Sequence, residues 1–219
     1  MNSAKVSRPF TSAHLLAQIV IILLAICVLI DVIAIAGYQS IGTLQLVARF
    51  TAFIVFLIWF YRAHRNLQAL GITRGRYSSA WSVLLFLVPI LNLYYAYDLV
   101  KELWRQSSPD LGFSDAFLKQ HAFTSEHYPS KTPLIGLWWG LTIASVCAAR
   151  ISDPTTGTWM DLISDGLAGV ASIVLILIVR NIDARQEEKR RRLTLDAVTR
   201  KAIDLVVATE FSRAASSKN

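Results

Sequence analysis

The stretch from Ala13 to Gly37 runs 25 residues and carries one charged side chain, Asp31. A second stretch, Gly166 to Val179, carries none. About 20 consecutive apolar residues in a helix cover the roughly 30 Å hydrocarbon core of a bilayer. In lipid every backbone polar group must be satisfied inside the protein, which leaves helices or closed barrels, and uniformly apolar runs of this length dictate helices. Composition agrees: 54% of the 219 residues are hydrophobic and 17% are charged, with the charges concentrated between and after the apolar runs. The fold class that follows is an all-α integral membrane protein.

Four runs have the length of spans, about 15–37, 44–63, 133–149 and 161–179. Lys5 and Arg8 precede the first, and Ala34-Ile35-Ala36 has the form of a signal-cleavage site. The apolar run of about 22 residues exceeds the 7–15 of a signal-peptide core, so it is read as an uncleaved span. Segment 80–98 is different. Its unbroken apolar core, Val83 to Leu91, is nine residues long and contains Pro89. Nine helical residues rise about 13 Å, under half the hydrocarbon thickness. Residues 99–132 are polar with scattered aromatics, and are expected on the cytoplasmic membrane surface as an amphipathic helix followed by a loop. Residues 1–180 are thus read as one membrane domain and 181–219 as a basic, helical cytoplasmic tail with the composition of a solvated helix.

Charge decides the topology. If 80–98 crossed the membrane, the 22 Lys and Arg residues would divide 7 to 15, with the tail and the basic 62–79 loop on opposite faces. If 80–98 dips in and returns, the division is 20 to 2, with only Arg49 and Arg150 on the far face. Basic residues near spans prefer the cytoplasm. The expectation is four spans, a re-entrant or interfacial hairpin at 80–98, and both termini in the cytoplasm.

The net charge of +7 is explained by these flanking residues, so no nucleic-acid partner is expected. Cys27 and Cys147 have neither a disulfide framework nor metal-ligand spacing. His14, His64, His121 and His127 form no His-Glu-x-x-His motif, and no nucleophile elbow, P-loop or dinucleotide fingerprint occurs. No catalytic residue, metal or cofactor is assigned.

Intramembrane charges are costly and seldom idle. Asp31, Arg49, Arg150, Asp161 and Asp165 all fall in the outer part of the bilayer in the four-span arrangement, where Asp31–Arg49 and Arg150–Asp165 are the natural pairings. They read as a small polar site linked to an ion or proton, or as structural pairing with Arg49 snorkelling to the interface; the mixed signs favour the second. A second set, Arg62, Asn66, Asn92, Asp98 and Glu102, reads as a cytoplasm-facing pocket for a ligand or lipid headgroup, or as a network that satisfies broken backbone at the hairpin mouth. Gly136, Gly140, Ala144 and Ala148 recur every fourth residue, and Ser164, Ala168 and Ser172 do so on the next span. Such small-residue stripes let helices approach closely, here as a hairpin across a short turn, with a homo-oligomer interface as the alternative. Trp81, Trp104, Trp138, Trp139 and Trp159 fall near span ends and are expected as interfacial anchors. The tail carries nine Lys/Arg against six Asp/Glu, and its Lys189–Arg192 cluster suits an anionic lipid or a cytoplasmic protein.

The string Trp59-Phe60-Tyr61-Arg62-Ala63-His64-Arg65-Asn66-Leu67, then Ala69-Leu70-Gly71, Trp81, Pro89, Asn92 and Glu102-Leu103-Trp104-Arg105, resembles an uncharacterised bacterial membrane family catalogued as domain of unknown function 4328. Arg180-Asn181-Ile182 followed by Gln186-Glu187 is similar to the way that family leaves its last span. The resemblance covers roughly residues 50–190. Ser79-Ala80 stands where the family often has Pro-Gly, and Tyr95-Ala96 lacks a second proline. The resemblance implies a multi-pass bacterial membrane protein and brings no activity with it. Absent catalytic motifs and a large basic face point first to a non-enzymatic scaffold or regulatory subunit. A small transport or channel component using the buried charges comes second, and a membrane-embedded enzyme third.

Overall fold

The computed structural model describes residues 10–36, 42–70, 79–110, 133–151 and 158–216. These form six helices: α1 (His14–Ile35), α2 (Gly42–Ala69), α3 (Ser79–Leu87), α4 (Pro89–Gln106), α5 (Pro133–Ile151) and α6 (Thr158–Ser216). Among the described residues, α1, α2, α5 and the Trp159–Thr209 part of α6 are long and apolar enough to cross a membrane. The chain is an all-α, multi-pass integral membrane protein with four spans.

α1 shows how such a uniform sequence chooses its inner face. It buries Ala17, Val20, Leu24, Cys27, Asp31 and Ala34, an alternation of three and four residues, and leaves Leu15, Ile22, Ile26 and Leu29 exposed. Lipid is as apolar as leucine, so large aliphatics gain nothing by turning inward; small and polar side chains do, because they permit close approach and need partners. This seam packs antiparallel against α6. α2 lies on the other side of α1, and α5 on the other side of α6, giving the row α2, α1, α6, α5.

The α5–α6 hairpin expected from the sequence is present, but on a different face of α5. Ser145 Oγ donates to the Ser164 carbonyl and Ser164 Oγ to the Ser145 carbonyl, both at 3.1 Å. The buried side chains of α5 are Ile135, Trp138, Ser145 and Ala148. Of the expected stripe only Ala148 is among them: a Cβ at Gly136 or Gly140 would meet nothing within 4 Å, and Ala144 is exposed.

α3 and α4 form the hairpin that fills one half of the space between α2 and α5. Val88 is extended (φ −88°, ψ 112°) and Pro89 opens α4. Proline bars the preceding residue from helical geometry and suits a helix start, so the chain turns there. Phe86, just before the turn, packs its ring 5.8 Å from that of Phe56 and 4.9 Å from that of Phe60, near the middle of α2. α4 then runs back: Gln186 of α6 bridges the Ala63 carbonyl near the end of α2 and Ser107 just past the end of α4. Entry and exit therefore lie on one face, and the hairpin does not cross.

Three expectations are corrected here. α4 extends to Gln106, and its Leu99, Val100, Leu103 and Trp104 are buried, so the start of the segment expected on the membrane surface is core. The remainder of that segment from 111 on, with His121 and His127, lies outside the described residues. Trp104 and Trp138 are buried rather than interfacial, whereas Trp81 and Trp159 are exposed. Helix α6 continues without a break through residue 180, and Asp183, Arg185, Gln186, Lys189 and Arg192 are buried against the bundle rather than solvated.

Candidate functional site

The face bearing the far ends of the spans holds the densest intramembrane polar group. Gln45 and Arg49, one turn apart on α2, reach between α1 and α6. Arg49 Nη2 donates to Asp31 Oδ1 at 2.8 Å and to Asp165 Oδ1 at 3.1 Å. Gln45 Nε2 donates to the same two oxygens at 2.8 and 2.9 Å. Two carboxylates from separate helices are thus held by one guanidinium and one amide. Asp31 is 2% exposed, and its Oδ2 has no hydrogen-bond partner among the described residues. It faces Gly169 of α6, where a Cβ would stand in ordinary contact, 3.7 Å from that oxygen.

The expected pairing of Asp31 with Arg49 is therefore formed. Asp165 joins it instead of pairing with Arg150, which is exposed and makes no ion pair among the described residues. Asp161 stands one turn before Asp165, at the mouth. Gln45 escaped the sequence reading because it is uncharged; its position four residues before Arg49 on a span was the available signal.

Arg49 lies between two hollows. The outer one, about 360 Å³, is lined by Gly42, Gln45, Asp161, Ser164 and Asp165 with Arg49. The inner one, about 350 Å³, is lined mainly by apolar side chains, among them Leu24, Phe53, Phe56, Phe86 and Trp138, again with Arg49. It exists because the α3–α4 hairpin occupies only half of the gap between α2 and α5. Asn92 lies at its floor, where the hairpin turns, with Oδ1 buried and unpartnered among the described residues.

The other polar set is dispersed. Asn66 clasps the chain before α1, donating to the Thr11 carbonyl at 3.0 Å and accepting from the Thr11 amide at 3.4 Å. Asn92 is at the cavity floor. Glu102, ten residues beyond Asn92 on α4, accepts from Gln106 Nε2 at 2.7 Å. Arg62 and Asp98 are half-buried on α2 and α4.

On that terminal face the structure builds a clamp instead. Arg185 Nη1 donates to the Trp104 carbonyl at 3.4 Å, with its guanidinium 4.0 Å above the indole, and Lys189 Nζ donates to the Gln106 carbonyl at 3.4 Å. Cations at the last carbonyls of a helix satisfy orphan acceptors and complement the dipole. Arg192 Nη1 pairs with Asp110 at 2.6 Å, His14 with Asp183 at 2.7 Å, and Ser12 donates to Glu187 at 2.7 Å. Burial pushes the Lys189 amine down to about 8. Of the expected lipid-binding cluster, Lys189 and Arg192 thus face inward, and Arg190 and Arg191 stay at the surface paired with Glu187 and Glu188.

No curated protein and no solved structure matches the chain. A family model described as Domain of unknown function (DUF4328) matches residues 32–184, which takes in Gln45, Arg49, Asp165 and the whole α3–α4 hairpin, and the chain belongs to that family.

Proposed function

We propose that this protein is a small transport component of a bacterial cytoplasmic membrane, with both termini in the cytoplasm, that takes up a cation-bearing solute from the far face. The observation that carries this reading is the position of Arg49 between an acidic mouth and a cavity in the membrane interior. Around that one guanidinium stand the carboxylates of Asp31 and Asp165, with Asp161 also at the mouth. A carboxylate excess with restricted access to water attracts cations, and a ligand cation can replace the guanidinium on Asp165, which is 21% exposed. Intramembrane ionisable groups facing a cavity are where solute pathways run.

The test is uptake of tetramethylammonium, whose fixed charge prevents it from crossing as a neutral base, into proteoliposomes. Uptake above protein-free liposomes that falls on Asp165→Asn and Asp31→Asn supports the reading. Uptake equal to protein-free liposomes, for this cation and for its longer-chain alkyltrimethylammonium homologues alike, refutes it.

A second reading, a scaffold or regulatory subunit, has its own observation. Beyond Arg192, α6 continues for 24 residues to Ser216, with Leu195, Val198, Ile203, Leu205 and Val206 exposed. Removal of residues 193–219 would leave the clamp intact and abolish recovery of a stoichiometric cytoplasmic partner. Retention of that partner by the truncated chain, or recovery of none by the full chain, counts against the scaffold.

A further inference from the structure

We propose, resting on the cation reading, that the solute is an amphiphile: an alkylammonium whose head sits at Asp165 in the mouth and whose chain fills the cavity below Arg49. The two hollows divide by polarity as such a molecule does. The mouth is lined by Asp161, Asp165, Ser164 and Gln45, and the cavity mainly by aromatic and aliphatic side chains, with Asn92, Thr142, Ser145 and Ser172 among them. Their heights match a lipid in a leaflet. The mouth is at the helix ends, and the cavity begins at Arg49 and passes Phe56, seven residues or about 10 Å further along α2.

The cavity opens sideways rather than to water. α2 and α5 are the outer members of the row and are not packed along one another, and Val146 of α5, midway along a span, lines the cavity and is 55% exposed. A molecule dissolved in the bilayer can therefore enter between α2 and α5. At about 350 Å³ the cavity has room for roughly a dozen groups the size of a water or methylene. It lies within the size range of small-molecule sites. The sign of the head follows from the carboxylate excess. Asp31, 2% exposed, lines neither hollow, but its carboxylate adds beside Asp165 a second negative charge that the single Arg49 guanidinium does not balance.

The experiment uses the full chain in nanodiscs and, at low mole fraction, a dodecyltrimethylammonium probe bearing a diazirine midway along its chain. Photolysis should label cavity residues such as Phe53, Thr142 and Ser172. Dodecyltrimethylammonium should compete at least about tenfold better than dodecyl sulfate, which shares its chain, because coulombic attraction of the head to one partly exposed carboxylate supplies a factor of that order. Tetramethylammonium should compete far more weakly than the long-chain cation. Ala168→Phe, which fills the cavity, should abolish the labelling, and Asp165→Asn should weaken competition about tenfold. If Asp165→Asn does not fold, Ala168→Phe and the competitor ratios still decide.

Labelling confined to lipid-facing residues such as Leu46 and Ile58 overturns the proposal. Tetramethylammonium competing as well as the dodecyl cation overturns the amphiphile and leaves the cation reading standing. Dodecyl sulfate competing equally overturns both.

Discussion

Replacing Arg49 with methionine removes the one cation from a cluster that holds two carboxylates. Truncating one partner of a buried ion pair costs about 3–5 kcal/mol, because the remaining charge stays buried without compensation. Here the arginine side chain is 39% exposed and Asp165 is 21% exposed, so water relieves part of that penalty, whereas Asp31 at 2% gets no relief. The estimate falls to about 2–3 kcal/mol. For a chain of this size that corresponds to a fall in Tm of roughly 5–10 °C. Thermal unfolding in detergent, followed by the emission of buried Trp59, Trp104 and Trp138, measures it. The decisive companion is the neutral triple variant Asp31→Asn, Arg49→Met, Asp165→Asn. With no charge left to strand, it should unfold within about 1 kcal/mol of the wild type, as neutral replacements of buried ion pairs commonly do. A triple variant as unstable as Arg49→Met, or an Arg49→Met protein that melts with the wild type, would refute the account of the cluster.

Three further outcomes follow from particular contacts. The Lys189 amine titrates near 8 in the folded chain against an ordinary value of 10.5, so between those pH values the unfolded chain binds the extra proton and stability rises with pH. That gain, up to about 3 kcal/mol between pH 8 and 10.5 in denaturant titrations, should vanish in Lys189→Met. Gly169→Ala should be tolerated within about 1 kcal/mol, since the added Cβ makes ordinary contact with Asp31, whereas Gly169→Leu should displace Asp31 and melt several degrees lower; Gly140→Leu, with nothing near its Cβ position, should leave Tm unchanged. Topology reporters fused after Asp110 and after Ser216 should read the same face and one inserted after Ile151 the other; opposite readings at 110 and 216 would turn the α3–α4 hairpin into a fifth span.

The hairpin was legible because two independent signals agreed: an apolar core too short to cross, broken by Pro89, and a charge count that made sense only if the chain came back. What that reasoning missed was the depth of the return. Residues 99–106 are mixed in polarity, and mixed polarity suggested a membrane surface. They are core because α6 brings Arg185 and Lys189 to the Trp104 and Gln106 carbonyls, 81 and 83 residues away in the chain, and Gln186 to the Ser107 hydroxyl. The same contact explains why the first turns of the tail are buried despite a composition suited to water.

Length, apolarity and the placement of basic residues determined that the chain is helical, crosses the membrane four times and keeps both ends on one face, since each is a property of a segment against the bilayer. The sequence also named Asp31 and Arg49 as partners, because charges in lipid must find one another. Tertiary structure alone decided which stripe of α5 packs, that Gln45 and Asp165 complete the cluster, and that a cavity lies behind it. Lipid exerts no hydrophobic preference among apolar faces, so the rotation of each helix is set by its neighbours' shapes and hydrogen bonds. The cavity is the clearest case: no residue encodes it, and it exists because a hairpin of α3 and α4 stops halfway between α2 and α5.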